Sequence, residues 1–201
     1  MNKLPLLISV PLLLLTQALY GQTPSQTLSK AAAAAEKRNH HCTKNTRHSP
    51  EQRRKNYPFN MSAVVQLVSF DGLVKITADK EVIVVSPDPG VIVDGVAPPA
   101  MTVKEEKTLS PAQIDELTDI LYNYGFAGPI IGQKALLCYS PRNAILFRDD
   151  KGEAFAFIEI CFECHNTRES SDQISLGQMC DQKLDMIKNL FNKAGIRYGI
   201  K

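Results

Sequence analysis

The residues best suited to chemistry in this 201-residue chain form a short motif of cysteine and histidine. Cys161, Cys164 and His165 spell C-x-x-C-H at the end of a run of β-branched and aromatic residues that predicts a strand. This spacing is compatible with a covalently attached haem, a redox dithiol, part of a zinc site or two half-cystines of structural disulfides. The compartment and the surrounding elements decide between these four interpretations.

Two of the interpretations need a helix beside the motif. A haem c site would use both thiols for thioether bonds and His165 as an iron ligand, and such motifs usually begin a helix in a mostly helical protein. A thioredoxin-like dithiol needs C-x-x-C at a helix N-terminus, but residues 165–171 have no apolar stripe. The sequence therefore disfavours haem and a redox dithiol, and both remain alternatives.

The first residues predict the compartment. Asn2 and Lys3 precede an apolar run over residues 4–15, and small or polar residues follow, which predicts a signal peptide over residues 1–21. We therefore expect the mature protein in the periplasm or outside the cell. Thiols in an oxidising compartment tend to form disulfides.

Export favours the disulfide interpretation, with four of the five cysteines forming two bridges. These four are Cys138, Cys161, Cys164 and Cys180. All three connectivities are open, and we favour Cys138 with Cys164 and Cys161 with Cys180, because an extrapolated hairpin register places Cys138 opposite residues 163–164. Cys42 is the expected odd cysteine, either free or paired between chains.

A zinc site is the remaining alternative for the same sulfurs. It would draw on Cys161, Cys164, Cys180 and either Cys138 or His165, because four such ligands suit tetrahedral zinc. Export weakens this interpretation. We expect no cofactor, with zinc or haem c as the alternatives.

Charge divides the mature chain into two parts. Residues 22–58 carry eight Lys or Arg against two Glu, a net charge of +6, whereas residues 59–201 carry 14 basic and 19 acidic side chains, a net charge of −5. The polar composition of residues 22–58 predicts a basic, flexible arm. The arm could bind an anionic surface such as lipid head groups. We expect no nucleic-acid partner, and no segment after the signal peptide is apolar enough to span a membrane.

Residues 59–201 are predicted to form a single α+β domain with an antiparallel sheet or meander and two amphipathic helices. The turn at Asp71-Gly72 predicts a hairpin of the β-runs on either side of it. Residues 144–147 and 154–162 predict a second hairpin, stapled by disulfides. One helix is expected to begin after Ser110, and the other to run from Asp181, as its N-cap, to about residue 193.

Two segments carry a resemblance. Cys138-Tyr139-x-Pro141-Arg142 and Ile160-Cys161-Phe162-Glu163-Cys164 resemble small exported proteins of uncharacterised function from Gram-negative bacteria. The resemblance covers roughly residues 109–198. It implies that Pro141, Arg142 and the cysteines form one structural unit, but it implies no activity.

Familiar catalytic motifs are missing from the sequence. It has no Ser-His-Asp pattern, no nucleotide-binding loop and no H-E-x-x-H. We therefore expect an exported, soluble protein that binds a partner or has a structural role and is not an enzyme. The alternative is a redox, haem-binding or zinc-binding protein that uses Cys161, Cys164 and His165.

Overall fold

A computed structural model describes residues 24–85, 103–128 and 138–200. The predicted signal peptide, residues 1–21, lies outside these ranges. Within them the chain forms four helices and nine strands, which confirms the predicted α+β class. The helices are α1 (Pro24–Asn39), α2 (Pro50–Arg53), α3 (Pro111–Asn123) and α4 (Lys183–Ala194). The strands are β1 (Thr43–Lys44), β2 (Val64–Ser69), β3 (Leu73–Ile76), β4 (Val82–Val85), β5 (Glu105–Thr108), β6 (Tyr124–Gly125), β7 (Asn143–Arg148), β8 (Ala154–Cys161) and β9 (Asn166–Glu169). Among the described residues, no helix is both long enough and apolar enough to cross a membrane.

The centre of the fold is a five-stranded antiparallel sheet in the order β5-β2-β7-β8-β9. Strands β7 and β8 form the predicted hairpin, in which Ile145 lies opposite Ile158. The other predicted hairpin is wrong, because β2 pairs with β5 and β7, whereas β3 pairs with β4. Since β2 has a neighbour on each side, the hydrogen-bonding groups along both of its edges are used within the main sheet.

The two faces of the sheet follow from the alternation of side chains along each strand. One face packs against α3 and α4. The buried side chains there include Val65, Leu67, Ile145, Ile158 and Ile160 from the strands and Leu117, Leu121, Ile187, Leu190 and Phe191 from the helices. Complete burial of such a side chain stabilises the fold by roughly 1.5–3 kcal/mol. The opposite face carries a smaller apolar cluster, against which the β3–β4 hairpin packs through Ile76 and Val82.

The two amphipathic helices form as predicted, with one difference at a terminus. Ser110 caps α3 through a capping box with Gln113. Gly195 ends α4 in the left-handed conformation, with φ of 95°. The N-cap of α4 is Gln182, which makes no capping bond through its side chain, so the prediction of Asp181 at this position is wrong.

The prediction of a flexible arm is wrong for residues 42–58, which are fixed to the domain. Strand β1 pairs with β6, and the Arg53 side chain is buried at 4% exposure. The physical reason is charge complementarity with α3, because Lys44 pairs with Asp119, and Arg53 pairs with Asp115. Composition counts the net charge of a segment but does not show which carboxylates lie opposite it. Binding of the arm to an anionic surface stays a prediction.

Candidate functional site

The C-x-x-C-H motif forms the turn between two strands, as its sequence context predicts. Strand β8 ends at Cys161, and β9 begins at Asn166. His165 has a left-handed backbone, with φ of 49°, which is uncommon for a residue other than glycine. Cys161 and Cys164 are buried in this turn, whereas the Glu163 and His165 side chains are exposed.

A disulfide joins this turn to the chain that enters β7. The Sγ atoms of Cys138 and Cys164 are bonded at 2.00 Å, and the Cα atoms lie 5.7 Å apart. This is the pairing that the hairpin register favours. The disulfide therefore staples the β7–β8 hairpin at its open end, beyond the last residues that pair in the ladder.

The second predicted disulfide, Cys161 with Cys180, is wrong. Cys180 is bonded to Cys42, with Cα atoms 5.4 Å apart. The reason is that successive side chains along β8 point to opposite faces of the sheet. Because Ile160 packs with the helices on one face of the sheet, its neighbour Cys161 points to the other face, away from α4, which begins just after Cys180.

Cys161 is consequently a free thiol, buried at 1% exposure. Its Sγ donates to the carbonyl oxygen of Ser140 at 3.3 Å and accepts the backbone N–H of Cys164 at 3.2 Å. The sulfurs of Cys138, Cys161 and Cys164 all lie within 4.8 Å of one another. A free thiol therefore lies close to a disulfide.

The two disulfides of this oxidised form are incompatible with both cofactor interpretations, haem c and zinc. Haem attachment would need the Cys164 thiol, which is bonded to Cys138. The expected zinc set would need Cys180, which is bonded to Cys42. The residues in this covalent state do not fit either group.

A buried carboxylate lies two residues before Cys161 on the same face of β8. Glu159 has no exposed surface, and its Oε2 accepts bonds from the Tyr139 hydroxyl at 2.6 Å and from Arg168 Nε at 2.8 Å. The β8–β9 register places Arg168 directly opposite Glu159. Burial, together with the hydrogen bond to Glu159, raises the pKa of Tyr139. This cluster is not among the sites predicted from the sequence, although the spacing of Glu159 and Arg168 across a short turn is compatible with a cross-strand pair.

A polar pocket of about 220 Å³ lies where the segment after β1 crosses the end of α3. Its walls also include the loop that precedes α4. The lining residues are Asn45, Thr46, His48, Asn56, Tyr122, Asn123, Tyr124, Gly177 and Gln178. None of them was a candidate from sequence, because they come from four separated stretches of the chain.

Asn123 organises one side of this pocket. Its Oδ1 accepts the Thr46 hydroxyl at 3.0 Å and the His48 backbone N–H at 2.8 Å. Its Nδ2 donates to the His48 carbonyl and to Asp119. With these four bonds the Asn123 side chain uses its whole hydrogen-bonding capacity, and three of them hold the N-terminal segment on α3.

The Tyr122 hydroxyl differs from these satisfied groups. Its oxygen is buried and has no hydrogen-bond partner among the described residues. Burial raises the pKa of Tyr122, so the hydroxyl keeps its proton and stays a donor at neutral pH. Buried polar groups are normally hydrogen-bonded, so the unpartnered hydroxyl of a residue that lines the pocket is a candidate donor to a ligand atom or water.

Lys183 joins two segments of the chain that each carry a pocket residue next to the bonded carbonyl, Tyr122 in one and Gly177 in the other. Its Nζ donates to the Leu121 carbonyl near the end of α3 at 2.7 Å and to the Leu176 carbonyl at 3.0 Å. Burial lowers the pKa of Lys183 to about 8. Gly177 lets the loop approach, because a Cβ atom there would lie 2.3 Å from the Leu121 carbonyl oxygen.

Comparisons of the chain with protein-family models, curated proteins and solved structures gave no match. The resemblance to small exported proteins therefore stays a prediction from the sequence. The cysteine turn and the polar pocket are therefore the two features that bear on the function of the protein.

Proposed function

We propose that this chain is an exported, disulfide-stabilised binding protein, and that its pocket binds a neutral sugar residue of a carbohydrate. The observation that carries the proposal is that Tyr122, whose buried hydroxyl has no partner among the described residues, lines the pocket together with amide, hydroxyl, imidazole and aromatic side chains. Export is supported by the predicted signal peptide and by two disulfides, which persist in oxidising compartments.

The chemistry of the pocket favours a neutral ligand that is rich in hydroxyl groups. Gln178 Oε1 accepts from Asn45, and Asn56 Nδ2 donates to the Arg53 carbonyl. In the described structure this leaves Gln178 Nε2 as a donor and Asn56 Oδ1 as an acceptor on two of the residues that line the pocket. Hydroxyl groups of a sugar donate and accept, so they can match both kinds of group.

Two tyrosines and the size of the pocket define the ligand further. Tyr122 and Tyr124 contribute aromatic rings, which bury apolar surface while their hydroxyls remain polar. Sugar rings have the matching apolar C–H faces. Drug-sized ligands occupy pockets of about 300–1,000 Å³, so a cavity of about 220 Å³ fits one ring of a longer molecule.

The test is titration of ¹⁵N-labelled protein with a panel of neutral monosaccharides and disaccharides, with uronic acids as charged comparators. We expect shifts of the His48, Tyr122 and Gln178 amide signals with at least one neutral sugar. Tyr122→Phe should weaken that binding by roughly 2- to 10-fold, because one hydrogen bond contributes about 0.5–1.5 kcal/mol.

The control variant is Tyr57→Phe, which removes a hydroxyl outside the pocket and should leave binding unchanged. Tyr122→Phe should not lower the stability of the protein, because the hydroxyl that it removes has no partner among the described residues. The proposal is wrong if no neutral sugar shifts the pocket signals, or if Tyr122→Phe binds the sugar as well as the unchanged protein does.

A further inference from the structure

The free thiol of Cys161 lies near the Cys138–Cys164 disulfide. Each of the three sulfurs is within 4.8 Å of the other two. We propose that Cys138, Cys161 and Cys164 form a thiol–disulfide exchange site, in which Cys161 takes Cys164 as its partner and Cys138 is released as a thiol. This inference is independent of the sugar pocket, which lies on other elements.

The exchange is balanced without an external oxidant. The Cys161 thiolate attacks Sγ of Cys164, a Cys161–Cys164 bond forms, and the Cys138–Cys164 bond breaks with its electron pair passing to Cys138. The proton that Cys161 loses is matched by the proton that Cys138 gains. One disulfide and one thiol are present before and after the step.

Two hydrogen bonds fix the position of the Cys161 sulfur beside the disulfide. The Cys164 backbone N–H donates to Sγ at 3.2 Å, and the Ser140 carbonyl accepts from the same atom at 3.3 Å. Because the attack is intramolecular, burial of Cys161 excludes outside reagents without separating it from the disulfide.

Cys164 is the expected point of attack because it shares a turn with Cys161. Closing a bond within C-x-x-C moves side chains of one turn, whereas a bond to Cys138 would join two separate segments. Cys138 is also the better leaving group, because it is exposed and water can solvate its thiolate, while Cys164 is buried.

The product would be chemically active toward other molecules. Cys138 would then be an exposed thiol beside a local C-x-x-C disulfide. Its thiolate can attack a disulfide of a small molecule or of another exported protein, which forms a mixed disulfide and releases one partner thiolate. The chemical class of substrate is therefore an accessible disulfide.

Alkylation of the native, oxidised protein tests the proposal. Folded protein is incubated with N-ethylmaleimide at about pH 8, where thiolates form, then quenched in acid and digested without reductant for mass spectrometry. We expect the adduct on Cys138, together with a disulfide between Cys161 and Cys164. An adduct on Cys161, or an intact Cys138–Cys164 disulfide with no adduct in folded protein, would overturn the proposal.

Two variants isolate the step. Cys161→Ala removes the attacking thiol and should abolish native labelling of Cys138, and Cys138–Cys164 should stay intact. Cys138→Ala forces the alternative bond, so denatured, non-reduced protein should contain no free thiol, against one in the unchanged protein. Two free thiols in Cys138→Ala would show that Cys161 and Cys164 do not bond, and would contradict the mechanism.

Discussion

Cys42 and Cys180 are separated by 138 positions in the chain, yet their Cα atoms lie 5.4 Å apart across a disulfide. The bond connects the segment before β1 to the start of α4. Backbone contact supports the same junction, because the Asp181 N–H donates to the Asn39 carbonyl at 3.3 Å. The N-terminal segment is thus part of the folded domain.

Removing this disulfide should destabilise the protein by roughly 2–4 kcal/mol, because the bridge restricts the unfolded chain. The double variant Cys42→Ala/Cys180→Ala leaves no new thiol and is the appropriate form. Urea unfolding without reductant measures the effect. The matched variant Cys138→Ala/Cys164→Ala opens a span of 26 positions, so the loss of its shorter loop should destabilise the protein by roughly 1.5 kcal/mol less. Equal or reversed costs would contradict this interpretation.

Arg53 is the buried cation that holds the N-terminal segment on α3. It donates to Thr118, to the His48 carbonyl and to Asp115. Arg53→Ala should lower the free energy of unfolding by roughly 1–3 kcal/mol, because buried acceptors lose their donor.

The neighbouring residue provides the control for Arg53. Arg54→Ala alters an exposed side chain that donates to the Pro111 carbonyl, and it should leave the midpoint of thermal unfolding almost unchanged. Similar losses from both variants would mean that the general positive charge of the segment, rather than the buried contacts, holds it in place.

Stability should depend on pH through Lys183. Its pKa is about 8 in the folded protein, against 10.5 for an ordinary lysine, so between these values the unfolded chain binds more protons. Stability therefore rises with pH across this window, by at most about 1.4 kcal/mol per pH unit. Urea unfolding from about pH 7 to 9.5, in a Cys161→Ala background that prevents exchange, measures the slope.

Lys183→Met should remove that slope, while Lys193→Met should keep it. Lys193 lies on the same helix but is exposed and pairs with Glu116. An unchanged slope in Lys183→Met would assign the pH dependence to another group.

The Glu159 carboxylate should be a structural centre of the β8–β9 edge. Glu159→Gln keeps the shape of the side chain but removes the charge that faces Arg168, and should destabilise the protein by roughly 1–3 kcal/mol. Glu163→Gln changes an exposed carboxylate in the adjoining turn and should have little effect. Combining Glu159→Gln with Tyr139→Phe should give less than the sum of the two single effects, because Glu159→Gln weakens the same Tyr139–Glu159 hydrogen bond that Tyr139→Phe removes.

Elements with strong local signals could be predicted from the sequence. Ser110 and Gln113 carry the N-terminal signal of α3, and Gly195 carries the C-terminal signal of α4, because capping depends on a few adjacent residues. The β7–β8 hairpin and the Cys138–Cys164 pair followed from turn chemistry and register.

Long-range pairings could not be predicted in this way. Cys180 has Cys42 as its partner because Arg53 and Lys44 find carboxylates on α3, and no local pattern contains that information. The alternation of side-chain directions along β8 is one signal that the sequence does contain. With Ile160 in the core, Cys161 had to face away from the helices, which argues against its predicted bond to Cys180.

The Cys42–Cys180 bond also changes what a protease can do to this protein. A single cut at any peptide bond between these two residues leaves both fragments joined through sulfur. Within residues 139–163 the Cys138–Cys164 bond retains the fragments a second time. A nicked molecule would therefore keep its mass on a gel run without reductant and separate into pieces only when thiols are added. Its covalent continuity depends on two sulfur bridges as much as on the backbone.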